Sequence, residues 1–330
     1  MAARIVLGCL TLLVALPAAP LPAQVAAPPP SSRIFRFDPD GFWLSLHHFL
    51  YVLGRAEIGT PDRARRAVAG APADQTQGLA SLSADEQALW KRAVSFYAAG
   101  PSKLDTVFDA PLIAITNALV GLRETAPLPM SVPADHRDAL AAAAPVYRKA
   151  WWSAHQRANA AWVTAAESLV ARHGAATLAF ITRAYGEPWP AAGFPVNVTP
   201  YTNWAGAYST RGTLLVIASL DPGTAGASGF ETTFHEAMHQ WDDAIDRALQ
   251  SAAKARGRTV PDNLSHAMIF FTAGEAVRRT IPGHVPYAEA NGIWQRGLAP
   301  FKSALDATWL PWLAGSGTRD DALSKLVDAL

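Results

Sequence analysis

Cysteine is all but absent from this chain. The one residue of that type, Cys9, lies inside an apolar stretch, Ile5 to Leu16, with Arg4 before it and Leu21-Pro22-Ala23-Gln24 after it. A basic start, a short apolar run and small residues in that order read as a secretory signal peptide over residues 1–23, cut after Ala23. The run falls short of the roughly 20 residues that span a bilayer. Removing the segment removes the thiol. Disulfides, cysteine nucleophiles and cysteine metal ligands are then excluded, and any metal site must be built from His, Asp and Glu. Charge is also sparse: 17% of residues are charged and the formal net charge is +1. No basic run is available to neutralise phosphates, so nucleic acid is not an expected partner, nor is stable membrane insertion once the signal is gone. The expectation is an exported protein, periplasmic or secreted.

What the chain does have is apolar content, half of its 330 residues, enough for a large buried core. Residues 24–34, with Pro28-Pro29-Pro30, read as a flexible leader. Residues 35–187 read as a helical N-terminal region. Phe42, Leu46, Phe49, Leu50 and Leu53 recur at helical spacing, and Ser83-Ala84-Asp85-Glu86 is a capping box. A Pro-rich break, Ala126 to Pro133, precedes a second helical stretch to about Tyr185. His47-His48 sits in the first apolar helix, where geometry turns one histidine inward as a core residue; the Trp151-Trp152 pair, Trp309 and Trp312 read as core aromatics.

The character changes over residues 188–330. Phe194 to Tyr201, Trp204 to Ser209 and Leu214 to Ser219 are short, β-branched or aromatic, and bounded by Pro, Asn and Gly, which predicts strands. Arg211-Gly212 would close the last two into a hairpin. A glycine-rich loop then leads into a helix from about Glu231 to Ala255, and further helices are expected over 263–280 and 291–309. The fold class is mainly α with a small antiparallel β-sheet, an α+β arrangement.

The chemistry concentrates in Phe234-His235-Glu236-Ala237-Met238-His239-Gln240-Trp241. Residues four apart on a helix share a face, with Cβ atoms about 5–6 Å apart, so His235 and His239 can converge on one ion. Glu236 projects from the edge of the same face, where it can serve as a general base without being a ligand. Asp242 and Asp243 follow directly and can orient a ligand imidazole.

With Thr232 three residues before the first histidine and uncharged residues at 237, 238 and 240, this segment resembles the extended motif of the zincin metallopeptidases. The preceding strands fit as well, because zincins place a small sheet above the active helix, with an edge strand that binds peptide. The resemblance covers about residues 188–330 and implies a Zn2+ cofactor, a peptide or protein substrate, and peptide-bond hydrolysis. The gluzincin branch takes its third ligand, a Glu, from a following helix, and Glu275 in Thr272-Ala273-Gly274-Glu275 matches that pattern. His266 competes for the role. Nine residues, about two and a half turns, separate the two on a continuous helix, so only one can face the metal. The resemblance also implies a donor for the developing oxyanion. Tyr287 suits it, with His284, His266, Arg278 and Tyr208 as alternatives. Two other classes stay open: a hydrolase of non-peptide amides or esters using the same metal site, and an exported helical binding protein.

Overall fold

The computed structural model describes residues 34–59, 69–210 and 214–330. The expected signal peptide, nearly all of the expected leader and the expected Arg211-Gly212 turn lie outside these residues. The described residues are mainly helical around one four-stranded sheet. Helices α1 (Phe42–Glu57), α2 (Gly70–Leu79), α3 (Ala84–Ala99), α4 (Ala110–Leu119) and α5 (Ala134–Tyr147) form the N-terminal bundle. Helices α6 (Ser153–Leu169) and α7 (Ala175–Tyr185) follow, then α8 (Gly226–Met238), α9 (Asp242–Ala255) and α10 (Leu264–Thr280). A short helix α11 (Tyr287–Ala290), several single turns and a last helix α12 (Arg319–Asp328) complete the chain. The expected capping box is present: the Glu86 N–H donates to Ser83 Oγ at 3.3 Å, and the Ser83 N–H to Glu86 Oε2 at 2.8 Å. Among the described residues, no helix is long and apolar enough to cross a membrane.

The sheet departs from expectation in two ways. Its strands β1 (Phe35–Asp38), β2 (Phe194–Thr199), β3 (Ala207–Thr210) and β4 (Leu214–Ala218) lie in the order β1-β2-β4-β3. β3 pairs antiparallel with β4 as expected, but β1–β2 and β2–β4 are parallel, so the sheet is mixed rather than antiparallel. The first strand was not foreseen, because Phe-Arg-Phe-Asp is too short to separate from an adjoining helix by pattern alone. Ile34, assigned to the leader, is fully buried, and its carbonyl accepts from the Phe194 N–H and the Trp189 indole. The N-terminal region therefore does not begin as a helix; its first segment completes the sheet of the C-terminal one.

Strand alternation divides two hydrophobic cores. Val196, Val198, Ala207, Leu215 and Ile217 face a core that includes Trp162, Leu178, Phe230, Phe234 and Met268. Tyr208, Leu214 and Val216 face the other way, into the core of α1, α3 and α5 with Phe49, Trp90 and Tyr147. Helices α6 and α7 contribute to the first core, so the packing boundary does not follow the expected division at residue 187. Burying a side chain such as Phe234, which is fully enclosed, contributes about 1.5–3 kcal/mol.

Helix α1 is buried all round, so His47 and His48 are both enclosed rather than one of them. The Nδ1 of His48 lies 2.9 Å from the Leu44 carbonyl, which can only accept, so Nδ1 carries the proton. Its Nε2 then accepts from the Tyr208 hydroxyl at 2.8 Å, tying α1 to β3. The His47 Nδ1 meets the Tyr97 hydroxyl at 2.8 Å, and that hydroxyl meets His136 Nε2 at 2.9 Å. Burial pushes His47 well below the ordinary histidine range, and lowers His48 and His136 to about 4. These rings are neutral when folded but titrate near 6.5 when unfolded. The unfolded chain thus binds more protons between pH 6.5 and 4, and stability is lost as the pH falls through that window. Each such ring contributes a slope of about 1.4 kcal/mol per pH unit. Urea unfolding followed across this range should show a shallower acid loss for His48→Gln than for the wild type. An unchanged slope would mean that His48 is not held neutral by burial.

Candidate metal centre

Helix α8 enters the first core through Phe230, Phe234, Ala237 and Met238. Its start is crowded by the preceding turn: a Cβ at Gly229 would fall 1.8 Å from the Thr224 carbonyl oxygen, so only glycine fits there. The expected continuous helix to Ala255 is interrupted. A 3₁₀ turn, His239–Trp241, ends α8, and α9 begins at Asp242. The tighter turn leaves His235 and His239 adjacent, with ring centroids 5.1 Å apart.

The third partner is His266, in the first turn of α10. Ligand atoms of His235, His239 and His266 all lie within 4.8 Å of one another. The Nε2 atoms of His235 and His266 are 3.4 Å apart. Two ligands at about 2.0–2.1 Å from one tetrahedral ion lie about 3.4 Å apart, so this spacing suits a shared metal. Glu275 is not part of the cluster, and the expectation that it completes the site is corrected. Because α10 is continuous from Leu264 to Thr280, turning His266 toward α8 carries Glu275 to another face. There it pairs with the Arg278 guanidinium at 2.6 Å and that of Arg279 at 3.5 Å. The signal that favours His266 is Phe270, one turn later on α10, whose ring packs on both His235 and His266, with centroids 4.1 and 4.8 Å away.

Electrostatics sort the three imidazoles. Burial holds His235 well below its ordinary value, helped by repulsion from His239 and His266, and lowers His266 to about 4. Both therefore present neutral nitrogen lone pairs at neutral pH. Burial also pushes His239 down, but the Asp242 and Glu236 carboxylates outweigh it and leave His239 raised. Both Asp242 oxygens lie 3.0 Å from His239 Nδ1, which frees Nε2 for the cluster and supplies the orienting carboxylate expected of a metal-binding histidine. Asp243 points to solvent. His235 has no such orienting partner; its Nδ1 is buried and makes no hydrogen bond within the protein.

Beside the cluster is a cavity of about 60 Å³, lined by Ala205, Ala207, Glu231, Thr232, His235, Glu236, Phe270 and Tyr287. It has room for a few water molecules. Glu236 and Tyr287 are thus brought together beside the histidine cluster. Burial raises the Glu236 carboxyl above the usual range, while His239 and Ser209, on β3, partly offset the rise. The alternative oxyanion donors are used elsewhere. Arg278 holds Glu275, His284 pairs with Glu231, and Tyr208 turns to the opposite face of the sheet toward His48. Three neutral or orientable imidazoles make a cluster that could hold a metal ion, with one carboxylate and a solvent-sized cavity beside it.

Comparison with protein-family models, with curated proteins and with solved structures finds no match.

Elemental analysis of the purified protein distinguishes the two ligand sets directly. One metal per chain is expected for the wild type and for Glu275→Gln, with loss of the metal in His266→Ala. Asp242→Asn should weaken binding by about 10-fold to 100-fold. Metal lost from Glu275→Gln but kept in His266→Ala would refute the three-histidine assignment.

Proposed function

We propose that this chain is a zinc-dependent hydrolase that cleaves peptide bonds, with His235, His239 and His266 holding the metal. The observation that carries the proposal is the convergence of those three imidazoles beside a cavity that His235 and Glu236 line. The all-nitrogen donor set, in a chain whose one cysteine is Cys9, favours zinc over calcium or magnesium, which prefer oxygen ligands. Bound there, zinc would acidify a water molecule and polarise a substrate carbonyl.

The chain's own residues supply the rest. Glu236 takes a proton from the attacking water and returns it to the leaving nitrogen. Its raised affinity for a proton suits that exchange, because a base with an ordinary carboxylate value would hold the proton too weakly to deliver it. The phenol of Tyr287, on the cavity wall, is the donor for the oxyanion that develops on the scissile carbonyl. Peptide is favoured as substrate by the sheet. β3 is an edge strand, and its residue Ala207 lines the cavity, so an extended peptide can add to that edge with its backbone running past Glu236.

Turnover of a fluorogenic peptide library, set beside a panel of simple esters and non-peptide amides, tests this reading. Glu236→Gln should retain one zinc per chain and lose about 10²-fold to 10⁴-fold in kcat. Hydrolysis of esters alone would move the assignment to the non-peptide class. Full activity in Glu236→Gln would remove the carboxylate from the mechanism.

A further inference from the structure

Between α10 and α11 the chain runs as a short strap, residues 281–286, that leads directly into Tyr287 on the cavity wall. The strap's apolar anchors are Ile281, half-buried against the first core, and the buried Pro286, whereas Val285 is 55% exposed. What meets the strap is a carboxylate on α8. Glu231 lies one turn before His235 on the same helix face and is 1% exposed. Its Oε2 is 2.5 Å from His284 Nε2, and its two oxygens accept the Tyr287 backbone N–H at 3.0 and 2.9 Å. One carboxylate therefore grips the strap twice, by a side chain at position 284 and by the main chain at position 287.

The neighbouring helix is shaped to admit this arrangement. A Cβ at Gly274 of α10 would come within 2.7 Å of Pro286 Cβ and 3.3 Å of Glu231 Oε1. With the strap seated, the Tyr287 ring stacks nearly parallel on Phe270, 6.2 Å away at 12°, and Phe270 packs on His235 and His266. The position of the phenol is thus set by contacts that begin at Glu231. A buried carboxylate is costly unless its oxygens are satisfied, and here two of the groups that satisfy it belong to the strap.

We propose that Glu231 and His284 form a clamp that seats the 281–286 strap and thereby positions Tyr287 for the reaction. They are positioning residues; neither belongs to the three-histidine cluster. The inference rests on the role given to Tyr287 above, but the clamp itself is physically separable from that role.

The test uses the zinc-loaded protein. Glu231→Leu removes the acceptors and His284→Gln weakens the clamp from the other side, so one remains informative if the other does not fold. Glu231→Gln keeps an oxygen for the Tyr287 N–H and serves as the rescue. Hydrogen exchange of the 281–290 segment should speed up in Glu231→Leu and His284→Gln and recover in part in Glu231→Gln. Exchange in α8 and α10, and the zinc content, should stay as in the wild type. In the peptidase assay, kcat should fall about 10-fold to 100-fold with little change in KM, as expected when a reacting group is displaced by about an ångström. The Glu231→Leu/Tyr287→Phe double variant should be no slower than Tyr287→Phe alone, because both changes remove the same donor. Unchanged exchange in the strap, or losses that multiply in the double variant, would overturn the clamp. A wild type without peptidase activity would instead remove the proposed function, leaving the exchange measurement to decide the clamp by itself.

Discussion

The sheet is buried on both faces, and much of the molecule is arranged by that constraint. Side chains alternate along each strand, so neighbouring residues serve different cores. In β3, Ala207 and Ser209 turn toward α8 and the cavity, while Tyr208 between them turns toward α1 and meets His48. A slip of one residue would bring Tyr208 to the Glu236 side and send Ser209 to the N-terminal core. The register Tyr208↔Val216 and Ser209↔Leu215 is therefore held from both sides. The N-terminal bundle bears on the site through this register, although none of its described residues lines the cavity.

The second organising element is the crossing of α8 and α10. Met238 and Met268 are both fully buried in the shared core, and the crossing brings the end of one helix beside the start of the other. Here His239 leaves the α-helix for a 3₁₀ turn and His266 enters from the first turn of α10. Phe270 fills the angle between them and keeps the imidazole faces shielded. The same burial keeps His235 and His266 neutral, so they can offer lone pairs without first losing protons. His239 differs because the Asp242 and Glu236 carboxylates are beside it.

Much of this was legible in the chain. The spacing of His235, Glu236 and His239 reports a shared helix face, because 3.6 residues per turn is a local property of the backbone. The capping box at Ser83 and Glu86, the β2 and β4 strands and the helix over 264–280 were readable for the same reason: each depends on residues close in sequence. The mutual exclusion of His266 and Glu275 followed from helix geometry alone, and the structure obeys it.

Which of the two faces the cluster could not be read locally. The answer depends on the rotation of α10 about its own axis, and that rotation is set by the packing of Met268, Ile269, Ala273 and Val277 against elements distant in sequence. The parallel pairing of Phe35–Asp38 with Phe194–Thr199 joins segments more than 150 residues apart, and a four-residue strand carries too little pattern to announce it. The Glu231 clamp is of the same kind, since its partners come from a strap about fifty residues downstream. By itself the sequence determined which side chains could do chemistry and the helix that carries two of the histidines. Tertiary packing alone decided the third histidine, the mixed sheet and the seating of Tyr287, because each depends on how separate elements are oriented against one another.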